Sequence, residues 1–126
     1  MCCLFIDNND FKNLNDHFGH EVGDNALITL AETLRVRLRD ADIIGRLGGD
    51  EFIAVIQITD KQLIENVLNK IRDGYKTALA DKDLPSLSLS IGYSFSSGQT
   101  EPFDVLLDKA DQEMYKNKQA FKLSNE

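Results

Sequence analysis

The sequence predicts an α+β domain, a sheet covered by helices, and three observations carry that prediction. Residues 87–95 alternate strictly: Leu87, Leu89, Ile91, Tyr93 and Phe95 are apolar, and Ser88, Ser90, Gly92 and Ser94 are small or polar. Such a period of two marks a strand with one face on a core. Leu63, Ile64, Val67, Leu68, Ile71 and Tyr75 recur instead at helical spacing. Two apolar runs, 43–47 and 52–58, flank Gly48-Gly49, which reads as a tight hairpin because both glycines accept φ > 0.

The elements follow in order. Residues 1–6 form a short apolar run, the first strand, ending at Asp7. Residues 8–24 are rich in Asn, Asp and Gly and read as an elaborate loop. Leu27, Leu30, Ala31, Leu34 and Leu38 define the first helix, with Asp24 placed to cap it. After the hairpin, Thr59 or Asp60 caps the second helix. Pro102 opens a third, on which Leu106, Ala110 and Met114 share one face. Strand, helix, hairpin, helix, strand, helix is the order of one helix-covered sheet. Nothing precedes the first strand to cover its apolar residues, so residues 1–126 are expected to be a single domain cut from a longer protein.

The composition narrows the function. A 126-residue chain with 42% apolar and 28% charged residues builds one real core. Its 14 Lys and Arg stand against 21 Asp and Glu, a net charge of −7, which argues against nucleic acid or an anionic membrane as a partner. A phosphate-rich ligand would have to be met by local cations and metal ions. The two cysteines, Cys2 and Cys3, are adjacent on a strand and point to opposite faces, so they do not bridge each other. With no signal peptide and no membrane-spanning run, a cytoplasmic setting is the simplest inference.

The chemistry concentrates at carboxylates. Asp50 and Glu51 sit at the hairpin tip directly after two glycines, where a large polar ligand can approach the backbone. Asp7 ends the first strand, the kind of place where sheets bearing helices put ligands. If the first strand lies beside the hairpin, the three acids meet. They then repel one another unless a cation joins them. Mg²⁺ favours one or two carboxylates with substrate phosphates, and such a site suits phosphoryl or nucleotidyl transfer. The plain alternative is a set of separate surface acids.

Four blocks decide between these readings. Asp7-Asn8-Asn9-Asp10-Phe11-Lys12 continues through Asn15-Asp16, Gly19-His20 and Gly23-Asp24. Arg46-Leu47-Gly48-Gly49-Asp50-Glu51-Phe52 follows, then Ser90-Ile91-Gly92, then Ala110-Asp111 with Met114-Tyr115 and Lys118. In this order and spacing the chain resembles the GGDEF domain of diguanylate cyclases over about residues 4–122. The resemblance implies a palm-like fold, related to adenylyl cyclases and ferredoxin-like sheets, with a mostly antiparallel sheet of about five strands. It also implies condensation of two GTP into cyclic di-GMP, with release of two pyrophosphates, in a head-to-head homodimer.

Carried over by position, the resemblance implies that Asp7 and Asp50 bind Mg²⁺ or Mn²⁺ with the Asn8 carbonyl. Glu51 would assist the metal or deprotonate the attacking hydroxyl. Gly48 and Gly49 would admit the α-phosphate, Asn15 and Asp24 would read guanine, and Lys12, Lys118 and Lys122 would hold phosphates. Arg39 and Asp42, an R-x-x-D motif ending shortly before Gly48, match a product-inhibition site; an ion pair at a helix end is the plain alternative. His20 is expected to shape its loop rather than to catalyse. Met114 and Tyr115 are expected in the core.

The chain departs from the family in places. Asn9 stands for the second acid of the D-x-D step, and Asn8 for an apolar residue. Lys122 replaces an arginine with a point charge. The family's helix upstream of the first strand, which covers the nucleotide and joins a sensory domain, is absent from this sequence. Two functional readings follow: an active cyclase, or a module that binds GTP or cyclic di-GMP to regulate an attached domain. A scaffold with no ligand is the third. The domain is expected in the cytoplasm, or as the cytoplasmic part of a membrane-anchored protein, without direct membrane contact of its own.

Overall fold

A computed structural model describes residues 1–96 and 101–124. In chain order the elements are β1 (Cys2–Asn8), α1 (Phe11–Phe18), α2 (His20–Arg37), β2 (Ile43–Gly48), β3 (Glu51–Ile56), α3 (Lys61–Asp81), β4 (Leu89–Phe95) and α4 (Phe103–Ser124). The strands form one antiparallel sheet in the order β2-β3-β1-β4. Four strands, rather than about five, make the sheet among the described residues, one from each apolar run of the sequence.

The period of two in β1 divides the molecule into layers. Cys2, Leu4 and Ile6 face a core closed by α2 and α3, where Leu30, Leu34, Ile64, Ile71 and Leu79 are buried. Cys3 and Phe5 face the other way, against Leu106, Ala110 and Met114 of α4. Each fully buried Leu or Ile contributes about 1.5–3 kcal/mol, so both layers hold the sheet. The two cysteines are free, buried on opposite faces as their adjacency requires, and burial pushes their thiols up to about 12 and about 11.

The segment read as a loop is two helices. Asp10, at φ 59°, turns β1 into α1, and Gly19, at φ 89°, separates α1 from α2. Leu14 is buried and Phe11 and Val22 pack against the core, so tertiary burial overrides the poor helix propensity of the Asn, Asp and Gly around them. Because α2 begins at His20, Asp24 lies inside the helix and does not cap it. Asp60 does cap α3, accepting from the Gln62 N–H at 2.8 Å.

The hairpin also differs in detail. Gly48 pairs with Glu51 after a bulge beyond Arg46, so the two-residue turn is Gly49-Asp50 rather than Gly48-Gly49. Both glycines still take left-handed φ, 127° and 51°. The Arg46 guanidinium clamps the tip, donating from Nε and Nη2 to the Gly49 carbonyl at 2.9 and 2.5 Å. Among the described residues no helix is long and apolar enough to cross a membrane.

Candidate active site

The alternation that builds the layers also aims the acids. Asp7, next on the face of Cys3 and Phe5, points toward α4, and Asn8 points toward α2 and α3. β1 lies between β3 and β4, so Asp7 sits across from Glu51 on one side and Ser90 on the other. Asp7 is 7% exposed. Its Oδ2 accepts from the Lys118 ammonium of α4 at 2.5 Å, and the same ammonium reaches the Asn8 carbonyl oxygen at 3.3 Å. Its Oδ1 is buried without a hydrogen-bond partner.

Asp50 stands beside this pair. Burial, then the neighbouring Asp7 carboxylate, push its carboxyl from 3.8 up to about 6, with Lys118 opposing. Glu51 is raised as well, by burial first and then by the charges of Asp7 and Asp111. The expected juxtaposition is therefore present, with one correction. Among the described residues no group of three acids, cysteines or histidines has metal-holding geometry. The nearest donors are Asp7, Asp50 and the Asn8 carbonyl, with Glu51 alongside. An orphaned carboxylate oxygen, a second strained carboxylate and a backbone carbonyl fit a hard divalent cation, which takes few protein oxygens and completes its shell with phosphates and water.

Local cations surround the acids despite the chain's negative charge. A cavity of about 420 Å³ is lined by Lys12 and Asn15 of α1, Asp50 of the hairpin and Lys118 and Lys122 of α4. The structure thus brings five of the expected residues, from three separated segments, into one cavity. Asn15 is shaped by Gly23: a Cβ there would stand 1.8 Å from Asn15 Oδ1, which is itself buried without a donor. Asp24, the next residue, opens onto a second cavity of about 610 Å³ with apolar walls from Leu27, Ile28, Ile44 and Phe52, and with Arg35 among its lining residues.

Gly48 and Gly49 have nothing within 4 Å of where a Cβ would sit, so the backbone there is open to a ligand.

The remaining expected residues divide. Arg39 and Asp42 close a turn on themselves: the Arg39 N–H donates to Asp42 Oδ2 at 2.8 Å, and the guanidinium stands 3.6 Å from Oδ1. The Arg39 side chain remains 61% exposed while that of Asp42 is 3% exposed. His20 is exposed at the start of α2. Met114 is buried as expected, but Tyr115 is 59% exposed. One further residue along a helix rotates a side chain by about 100°, off the stripe of Leu106, Ala110 and Met114.

Several contributors carried no signal or a weak one. Asn8 was expected to act only through its carbonyl, yet its side chain is buried and accepts from the Tyr75 hydroxyl of α3 at 2.9 Å. Asn9 donates to Ser88 Oγ at 2.9 Å and accepts from Ser90 Oγ at 2.6 Å, so this amide is satisfied inside the fold. Gly92 lets α4 pass: a Cβ would stand 2.1 Å from the Met114 nitrogen and 2.2 Å from the Ala110 oxygen. The sequence placed it on the polar face of its strand, and only the packed α4 shows why that position needs glycine.

Comparison with known proteins agrees with this geometry. The family described as Diguanylate cyclase, GGDEF domain, matches residues 1–123. The chain is 35% identical over 118 residues to the probable diguanylate cyclase DgcC of Escherichia coli K12, covering 93% of this chain and 32% of that protein. It thus spans about a third of the length of such curated relatives. Among solved structures, it resembles the active GGEEF domain of a diguanylate cyclase from Vibrio cholerae, with a TM-score of 0.81 and 30% identity over 91% of this chain and 74% of that one. It also resembles the diguanylate cyclase SiaD of Pseudomonas aeruginosa, solved with its activator SiaC, with a TM-score of 0.84 and 28% identity over 94% of this chain and 46% of that one. With the family matched along nearly its whole length, the chain belongs to the GGDEF domain family.

Proposed function

We propose that this domain is a diguanylate cyclase, joining two GTP into cyclic di-GMP with release of two pyrophosphates. One observation carries the reading: Asp50 lines one cavity with Lys12, Lys118 and Lys122, and Lys118 reaches from it to Asp7 and the Asn8 carbonyl. Acidic residues for a metal and basic residues for phosphates serve a nucleoside triphosphate together and serve little else in an acidic chain.

The residues divide the substrate between them. Lys12, Lys118 and Lys122 hold the triphosphate in their cavity. The guanine enters the neighbouring apolar cavity, where the Asp24 carboxylate accepts from the ring N1–H and the exocyclic amine, a pairing adenine does not offer. The Asn15 amide reads the same base. Gly48 and Gly49 let the hairpin backbone approach the α-phosphate. A bound Mg²⁺ or Mn²⁺, or a pair of them, supplies charge compensation at the attacking and leaving oxygens.

In each half-reaction a 3′-oxygen forms a bond to the α-phosphorus of the other GTP. The bond from that phosphorus to the bridging oxygen of pyrophosphate breaks, and the hydroxyl proton passes to a base. Glu51, whose carboxyl is raised by burial and by neighbouring acids, takes that proton or assists the metal site. One domain offers one nucleotide site, so turnover needs a homodimer that brings two sites face to face. The exposed Arg39 beside Asp42 offers a clamp for the product's guanine and phosphate. A preceding sensory domain and a cytoplasmic location, where GTP is available, complete the reading.

Incubating the chain with GTP and Mg²⁺ over a range of protein concentrations, and quantifying cyclic di-GMP by chromatography, tests it. Product should rise more steeply than first order in protein, and Asp50→Ala should lower it by about 100-fold or more. Turnover retained in that variant would refute the assignment. GTP binding without product at any concentration would make the domain a binding module.

A further inference from the structure

The proposed reading gives Lys118 one task, to hold phosphate, but its ammonium is engaged elsewhere. Nζ lies 2.5 Å from Asp7 Oδ2 and 3.3 Å from the Asn8 carbonyl oxygen, and both oxygens belong to the set assigned to the divalent ion. We propose that Lys118 is the resident cation of this metal site, exchanged for the divalent ion when the nucleotide's phosphates draw its ammonium into the lysine cavity. The inference rests on the metal-site reading and adds its regulation: metal and nucleotide bind as a coupled pair.

Three features support exchange over coexistence. A Mg²⁺ ion needs oxygens at about 2.0–2.1 Å, so an ammonium in contact with both oxygens blocks its approach, and the two positive charges repel at that range. The Lys118 side chain is 24% exposed and the Asp7 side chain 9%, so water screens the pair weakly. Lys118 also lines the cavity shared with Lys12 and Lys122, and rotation of its four-carbon stem moves the charge there without moving α4. The acids of the hairpin that feel the Lys118 charge, Asp50 and Glu51, gain a divalent charge in return for a monovalent one.

The coupling is reciprocal, since a nucleotide that tightens the metal must be tightened by it to the same degree. The plain alternative is that Lys118 and Asp7 form a structural ion pair between α4 and β1. That pair would leave metal binding alone independent of how the lysine is placed.

Mn²⁺ binding, followed by the loss of free-ion paramagnetic resonance signal, separates the two. It is measured on the wild-type chain and on Lys118→Met, with and without a GTP analogue carrying a methylene between the α- and β-phosphorus. Without nucleotide, Lys118→Met should bind Mn²⁺ about tenfold tighter or better, a coupling of ordinary allosteric size. Lys122→Met removes the same charge from the same cavity without touching Asp7, and should change Mn²⁺ binding by less than about threefold. With saturating analogue the gap between wild type and Lys118→Met should close.

Equal or weaker Mn²⁺ binding by Lys118→Met, or an equal gain in Lys122→Met, overturns the exchange and leaves the cyclase reading standing. Wild type that binds no Mn²⁺ even with the analogue, or that binds it undiminished after Asp7→Asn, overturns the metal site itself and the exchange with it. Circular dichroism confirms folding of each variant. Lys118→Gln carries the same comparison if the methionine variant does not fold.

Discussion

Replacing Asp50 by asparagine should stabilise the metal-free domain at neutral pH while silencing it. The folded-state pKa of Asp50 is raised from 3.8 to about 6, first by burial and then by Asp7. A rise of that size corresponds to about 3 kcal/mol if fully expressed. Asp50 is only half-buried, so solvent screening leaves about 1 kcal/mol. The sign follows from proton binding. Between the unfolded and folded values the native state holds more protons than the unfolded chain, so this group's contribution to stability falls as pH rises through that window. Above the folded value the ionised carboxylate is a standing cost, which asparagine removes.

Urea denaturation in EDTA, followed by circular dichroism near pH 7.5, should show Asp50→Asn more stable by about 1 kcal/mol with an unchanged denaturant slope. In thermal unfolding this is a Tm higher by roughly 3–5 °C. Near pH 4.5, inside the window between 3.8 and about 6, the gain should shrink to about a third. A variant no more stable than wild type near pH 7.5 would refute the picture of a strained carboxylate. A gain that persists undiminished near pH 4.5 would refute electrostatics as its source.

Gly92→Ala should destabilise the domain by about 2 kcal/mol or more, because the new Cβ meets helix backbone that cannot rotate away; an unchanged Tm would show that α4 does not press on β4 there. Under the proposed clamping of product by Arg39 and Asp42, Arg39→Ala should raise the accumulation of cyclic di-GMP. The motif lies roughly 20 Å along β2 from the hairpin tip at about 3.3 Å per residue, so the effect should appear in inhibition curves with added cyclic di-GMP. Inhibition that persists in the variant would place product control elsewhere.

The parts of this protein legible in its sequence are those written as periodicity or as contiguous motifs. Alternation in 87–95, the apolar runs of 1–6 and around the hairpin, and helical spacing in α2, α3 and α4 placed every strand and three helices. The family's blocks named the acids and lysines that the structure then gathered into one region. Residues 8–24 were not legible, because their composition speaks for a loop and their burial for two helices. Local propensity is worth tenths of a kcal/mol per residue, and packing Phe11, Leu14 and Val22 is worth more.

The sequence by itself determined which side chains exist and, through the period of two, that Asp7 and Asn8 must face opposite layers. Only the tertiary structure decided that Lys118, 111 residues away, lies on Asp7, that Tyr75 is hydrogen-bonded to Asn8, and that the α4 backbone passes directly over Gly92. Those pairings join segments with no shared periodicity. They depend on how whole helices seat on the sheet, a property of packed surfaces that no local stretch of chain encodes.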